Sequence, residues 1–173
     1  HRKTSHYFTS QPATDETVHG SFHEDSNRYV FNPTQYVAME KRDSGYYEVL
    51  YTKGIEVRRE KVEMVIGSGT KGQMLVYRNG PKWFQLPVFY YAAKNEWANS
   101  PGFPGQVIFS RAITSRCMEC HSTYAQKISD AFKEPEEFDY NRVIYGVDCE
   151  RCHGAAQQHV DFHTEHPEDS VAK

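Results

Sequence analysis

One five-residue pattern, Cys-x-x-Cys-His, occurs twice in the chain, at residues 117–121 and 149–153. This pattern is the attachment signature of a c-type haem. The two thiols add to the vinyl groups of the porphyrin, and the histidine that follows directly is placed to ligate the iron. The sequence therefore predicts two covalently attached haems c. The attachment residues are Cys117, Cys120, Cys149 and Cys152, and the iron ligands are His121 and His153.

Two other interpretations of the four cysteines are open at this point. Paired Cys-x-x-Cys motifs also suit a structural zinc site with four thiolate ligands, although such pairs are usually only about 15–20 residues apart. Two disulfides are the other possibility. Neither zinc nor a disulfide requires a histidine after each pair, so the pattern favours haem.

Composition and charge limit the class of protein. A chain of 173 residues can bury a core as one domain. Its net charge of −3 gives no electrostatic basis for binding nucleic acid. No segment approaches the roughly 18 apolar residues of a membrane span. The first residue is His1 and not Met, so we expect that a signal peptide has been removed. Because c-type haems are attached outside the bacterial cytoplasm, the haem interpretation predicts a periplasmic or otherwise extracytoplasmic protein.

The hydrophobic pattern changes along the chain. Short runs rich in Tyr, Val and Phe predict strands at residues 28–31, 35–41, 46–52 and 55–57, and Asn79-Gly80 predicts a hairpin between 74–77 and 83–86. A short helix is expected at 92–99, and longer helical segments at 112–129 and 140–158. We predict a single α+β domain over residues 1–173, with a mainly β region at 28–109 followed by a helical haem-binding region at 110–159.

Several stretches carry a family resemblance: residues 66–69, 84–88, 97–102, 116–121 and 146–154. In them the chain resembles the multihaem c-type cytochromes grouped with the tetrahaem electron acceptor of hydroxylamine oxidoreductase, especially the members with a β insertion before the second haem. The segment Cys-Glu-Arg-Cys-His-Gly is the most specific of these matches. Relatives commonly have Gly-Pro-Gly after the last histidine, whereas this chain has Gly154-Ala155-Ala156.

The resemblance implies roles for two further histidines. The residue at the position of His6 crosses over as distal ligand to the haem of His153, and the one at His159 serves an upstream haem whose motif is not in this chain. Relatives also usually carry another motif downstream. The chain is thus either a two-haem piece of a larger multihaem protein, with additional haem-bearing segments, or a divergent two-haem form.

The function implied is electron transfer between redox partner proteins, with no catalytic residue. Histidine ligation of iron predicts a low potential. The resemblance assigns no distal ligand to the haem of His121, whose iron is then five-coordinate or bound by His19, His23 or His163. An open iron gives the first alternative, a reductase of nitric oxide or hydroxylamine. The second alternative is a zinc-stabilised binding module on a β platform.

Overall fold

The computed structural model describes residues 1, 3–102 and 105–168. These residues form eleven strands and three short helices. In chain order the elements are β1 Ser10–Pro12, β2 Arg28–Asn32, β3 Gln35–Arg42, β4 Gly45–Thr52, β5 Ile55–Lys61, β6 Met64–Ile66, β7 Gly72–Asn79, β8 Lys82–Tyr91, β9 Glu96–Asn99, α1 Ser115–His121, β10 Ser122–Lys127, β11 Phe138–Tyr145, α2 Glu150–His153 and α3 Gln157–Glu165.

Strands β2 to β5 form an antiparallel four-stranded sheet in sequence order. Its connections are tight. Lys53 and Gly54 join β4 to β5 with φ angles of 51° and 77°, the positive values that a two-residue hairpin loop requires. One face of this sheet is apolar and buried against the second sheet. Its core side chains include Val37, Met39, Tyr46 and Leu50.

The second sheet has five strands in the order β1-β6-β7-β8-β9 and is the central layer of the molecule. One face packs on the four-stranded sheet through a cluster that includes Val65, Leu75, Tyr77, Leu86 and Val88. The opposite face carries a second cluster, which joins side chains of β6, β7 and β8 to the C-terminal part of the chain. Its buried members are Met64, Ile66, Val76, Trp83, Ile113, Met118 and Phe138.

The strands predicted in the β region are present, with differences at their ends. The hairpin between β7 and β8 forms, but Asn79 pairs with Lys82, so its loop is Gly80 and Pro81. The apolar residues of β5 have odd numbers (Ile55, Val57), whereas those at the ends of β6 have even numbers (Met64, Ile66). The alternation changes because β5 and β6 belong to different sheets. A register irregularity also leaves Val57 as an extra residue in β5, between the pairs formed by Glu56 and Arg58.

The short helix predicted at 92–99 is wrong. Residues 92–95 form a turn, and Glu96–Asn99 form β9, which pairs with β8. The strand places Trp97 in the first cluster, where its indole N–H donates to the Ser21 carbonyl at 2.7 Å. Phe109 lies in the same cluster, and Phe103 lies outside the described residues.

The α+β fold class, with a helical haem-binding region at 110–159, is also wrong, because the structure is mostly β. Helix α1 ends at His121, where the Ser122 hydroxyl donates to the Met118 carbonyl at 2.8 Å, and the chain continues as β10. Strand β10 pairs with β11 through Tyr124↔Ile144 and Ala125↔Val143. The β-branched and aromatic side chains in these pairs favour a strand, and tertiary packing overrides the helical pattern.

None of the helices in the described part of the chain has the length and apolar character needed to cross a membrane.

Candidate haem centres

The first Cys-x-x-Cys-His motif occupies helix α1, whose first turn is held by the buried carboxylate of Glu136. Ser115 donates to this carboxylate through its backbone N–H and, at 3.1 Å, through its hydroxyl. The Lys127 ammonium lies 2.7 Å from the same carboxylate. Burial acts to raise the pKa of Glu136, but the Lys127 and Ser115 donors outweigh it and hold the pKa below its usual value. The carboxylate is therefore ionised and anchors the start of the helix.

The helix presents its motif to a cavity of about 310 Å³. Met118 is buried in the second cluster, Cys117 is half-buried and Cys120 is exposed. The volume lies at the lower end of the range for ligand-binding pockets. The lining combines apolar and polar side chains: Ile66, Met74, Gln85, Pro101, Arg111, Ala112, Ile113, Arg116, Cys117, Cys120 and His121.

His121 is half-buried at the wall of this cavity. Burial lowers the pKa of its imidazole, so the neutral form that binds metals is favoured. Its Nδ1 is buried without a hydrogen-bond partner among the described residues. Its backbone carbonyl accepts hydrogen bonds from the hydroxyls of Ser10 at 2.5 Å and Thr9 at 3.2 Å. The N-terminal segment thus fixes the backbone at the end of the first motif.

The second motif begins after a three-residue turn that follows β11. The Thr123 hydroxyl donates to the Gly146 carbonyl at 2.8 Å and accepts from the Asp148 backbone N–H at 2.8 Å, which holds the turn into α2. The short helix leaves its reactive side chains at the surface. Cys149, Cys152 and His153 are all exposed.

The two motifs touch each other. Arg151, between the cysteines of the second motif, donates from Nε to the carbonyl of Glu119, between the cysteines of the first, at 2.9 Å. The N-terminal segment lies along both motifs. The Ser10 hydroxyl, which bonds the end of the first motif, also accepts from the Gly146 N–H at 3.0 Å, before the second.

The two histidines assigned by resemblance lie in different places. The carbonyl of His6 accepts from the Val147 N–H at 2.9 Å, so this exposed residue sits beside the second motif. His159 lies on α3, with its ring centroid 4.5 Å from that of His163. Both line a cavity of about 270 Å³ together with Ala155, Gln158 and Phe162.

Two of the candidate distal ligands of the His121 haem are not at its cavity. His19 packs its ring near Tyr90, with centroids 6.3 Å apart, and its backbone N–H donates to Gln73. His23 is exposed in the loop before β2. In the described part of the chain, neither side chain lines the cavity beside His121.

The residues fit haem better than zinc. All four cysteines are unpaired thiols. Within the described residues, three potential metal-ligand atoms come within 4.8 Å of one another only at His1, Asp148 and Cys149, so the four-thiolate cluster of a zinc site is not formed. Two free thiols and His121 at the wall of a largely apolar cavity fit a covalently attached porphyrin at the first motif.

Residues 103–154 match the family model for cytochrome c554 and c-prime. This match includes both Cys-x-x-Cys-His motifs and supports a c-type cytochrome with covalently bound haem c. Cytochromes c of this kind are typically extracytoplasmic. Neither a curated protein sequence nor a solved structure matches the chain significantly.

Several residues that shape this cytochrome site carry no chemical signature in the sequence. Ser10 is fully buried and bonds His121 of the first motif and Gly146 ahead of the second, yet in the sequence it is one more serine in a polar N-terminal stretch. The contact of Arg151 with Glu119 depends on the two motifs being neighbours, which the hairpin β10–β11 arranges. Gly146 lies inside a stretch that carries the family resemblance, and that is the one available signal.

Proposed function

We propose that this chain is a two-haem c-type cytochrome domain that carries electrons between redox partner proteins outside the cytoplasm. The observation that carries the proposal is the direct contact between the motifs, through the Arg151 hydrogen bond to Glu119 at 2.9 Å. Redox groups attached at two touching motifs can exchange electrons readily. Haem supplies a one-electron couple of iron, and the protein sets its potential through ligands, hydrogen bonds and burial.

The chain's own residues then have distinct tasks. Cys117 and Cys120 anchor one haem over the cavity beside α1, and Cys149 and Cys152 anchor the other at the surface. His121 and His153 provide the proximal nitrogens. The lowered pKa of His121 supports this role, because a neutral imidazole is the form that ligates iron.

We assign His6 as the distal ligand of the haem at His153. Its support is the hydrogen bond from Val147 N–H to the His6 carbonyl at 2.9 Å, which holds the residue beside the second motif. We assign His159 to a haem borne by a further segment of a larger multihaem protein. His159 is exposed on α3, a helix without buried residues among those described, so its side chain is accessible to a haem bound by another segment.

The test begins with the intact mass and the reduced absorption spectrum of the protein made in a host competent for c-type maturation. We expect a mass gain of two haems and a c-type α band. The variants Cys117→Ser/Cys120→Ser and Cys149→Ser/Cys152→Ser should each lose one haem and keep the other. A wild-type mass without haem would refute the proposal.

Carbon monoxide distinguishes a carrier from a small-molecule reductase. If both irons hold two protein ligands, the reduced spectrum stays unchanged when carbon monoxide is added. A shifted Soret band that disappears in Cys117→Ser/Cys120→Ser would identify an open iron at the first motif and replace electron carriage by the reductase function there.

A further inference from the structure

Gln85 is a polar side chain on an otherwise apolar face. It lies on β8, on the side of the central sheet that faces α1, and it pairs in register with Val76. Its residue is only 3% exposed, and it lines the cavity beside Cys117, Cys120 and His121. Its side-chain Nε2 is buried and has no hydrogen-bond partner among the described residues. An amide N–H group left unpaired in a core is costly, so Gln85 Nε2 is a candidate donor to a group bound in the cavity.

A second buried glutamine in the same sheet, Gln73, allows the side-chain hydrogen bonds of the two residues to be compared. Gln73 on β7 is 1% exposed, and its side chain is fully engaged on the opposite face. Its Nε2 donates to the carbonyls of Thr17 at 2.8 Å and Gly67 at 3.3 Å, and its Oε1 accepts from the His19 N–H at 2.9 Å. Gln73 is therefore satisfied by protein alone, whereas Gln85 is not.

The surroundings of Gln85 indicate the chemistry of its partner. The Gln85 backbone N–H donates to the Arg111 carbonyl at 2.8 Å, so β8 and the Arg111 segment are neighbours in the cavity wall. Arg111 and Arg116 both line the cavity, and guanidinium groups favour carboxylates. The remaining wall, with Ile66, Met74 and Ile113, is apolar. A body that is apolar over most of its surface and carries carboxylates at one edge matches this lining.

We propose that Gln85 Nε2 donates a hydrogen bond to a propionate carboxylate of the haem attached at Cys117 and Cys120, within a polar edge formed by Gln85, Arg111 and Arg116. This inference rests on the proposed function, since it requires a haem at the first motif. Cys117 and Cys120 would hold this haem through its vinyl groups, and Gln85, Arg111 and Arg116 would supply donors for its propionate carboxylates. The hydrogen bond withdraws negative charge from the propionate and so raises the potential of this haem relative to the same haem without it.

The experiment compares Gln85→Leu with Gln73→Leu in the haem-loaded protein. Both variants remove a buried amide of the same size from the same sheet. We expect Gln85→Leu to keep two haems and to lower the potential of one of them, with the other unchanged, in a spectroscopic redox titration. Gln85→Glu should lower the same potential further at neutral pH, because it adds a negative charge. Gln73→Leu should reduce thermal stability and leave both potentials in place.

The outcomes separate the two levels of the proposal. A wild-type protein without haem at the first motif refutes the proposed function itself. Two attached haems with both potentials unchanged in Gln85→Leu would overturn the role of Gln85 alone. An unchanged potential together with an altered carbon monoxide complex would assign the amide to an iron-bound ligand and likewise overturn it. If Gln85→Leu does not fold, Gln85→Met, which keeps the side-chain length without a donor, gives the same readout.

Discussion

At the scale of single residues, Gly146 determines how closely the N-terminal segment can approach the second motif. Its φ of 69° lies in the left-handed region, and a Cβ at this position would collide with the Tyr7 carbonyl oxygen. Both facts require glycine here, since other residues adopt this conformation only under strain. The close approach brings His6 and Ser10 to the two motifs.

We predict that Gly146→Ala lowers the free energy of unfolding by about 3 kcal/mol, the sum of backbone strain and a steric clash. Chemical denaturation measures this change. Gly54→Ala is the matched control, because Gly54 has a φ of 77° and a Cβ added there would meet no other atom within 4 Å. That control should lose only about 1 kcal/mol, from strain alone. Equal losses in the two variants would contradict the close packing against Tyr7.

At the scale of elements, the hairpin β10–β11 carries the two motifs on its ends. Strand β10 begins where the first motif stops, and β11 ends four residues before Cys149. The hairpin is attached to the central sheet through Phe138, which stacks on Trp83 with ring centroids 4.6 Å apart and an angle of 19°. This stack attaches the start of β11 to the second cluster, which also contains Met118 of the first motif.

Replacing Phe138 tests that attachment. Phe138 is 1% exposed, so Phe138→Ala should lower the free energy of unfolding by about 3–5 kcal/mol. Phe132 lies in the loop of the same hairpin and is 99% exposed, so Phe132→Ala should change it by no more than about 0.5 kcal/mol. Thermal or denaturant unfolding of both variants gives the answer, and similar small effects would show that the hairpin does not depend on the stack.

The elements also show what sequence alone can and cannot predict. Glycine-containing turns and alternating β-branched residues are sufficient for β2 to β5, because short antiparallel connections are local. Strand β11 is not predicted from the sequence because residues 140–145 pair with β10, which precedes them across a long loop. Pairing with a distant strand produces no recognisable alternation of hydrophobic residues within the segment itself. The two Cys-x-x-Cys-His motifs, and the haem c that they indicate, are predictable from spacing. The roles of Ser10, Gly146 and Gln85 are not, because they depend on tertiary neighbours.

At the scale of the whole molecule, the acidic residue Glu48 lies between the two large sheets. Glu48 on β4 is fully buried, and one carboxyl oxygen accepts from the Val88 N–H on β8 at 3.3 Å. The other oxygen has no partner among the described residues. Burial raises the pKa of Glu48 well above its usual value, and the Val88 hydrogen bond opposes this only in part. Burial therefore favours the protonated form of this group in the folded protein.

The stability of the molecule should depend on pH through Glu48. Because the folded state binds the proton more tightly than the unfolded state, its contribution is fully present below the unfolded pKa of about 4.3 and is lost as pH rises through the folded pKa. The loss is at most about 1.4 kcal/mol per pH unit. Glu48→Gln should remove this slope in unfolding experiments at several pH values, while the exposed Glu24→Gln retains it. Parallel slopes in wild type and Glu48→Gln would disprove the assignment.

The N-terminal strand has a consequence for the order in which the protein matures. Ser10 forms hydrogen bonds with His121 and Gly146, which lie 111 and 136 positions later in the sequence. Ser10 is synthesised well before His121 and Gly146, and contacts between residues so far apart in sequence form slowly. Until the Ser10 hydrogen bonds form, the N-terminal segment does not cover the cysteine motifs, and both motifs stay accessible to the enzymes that attach haem. We expect covalent haem attachment to precede the formation of the Ser10 hydrogen bonds, so the last contacts of the fold form around motifs that already carry haem.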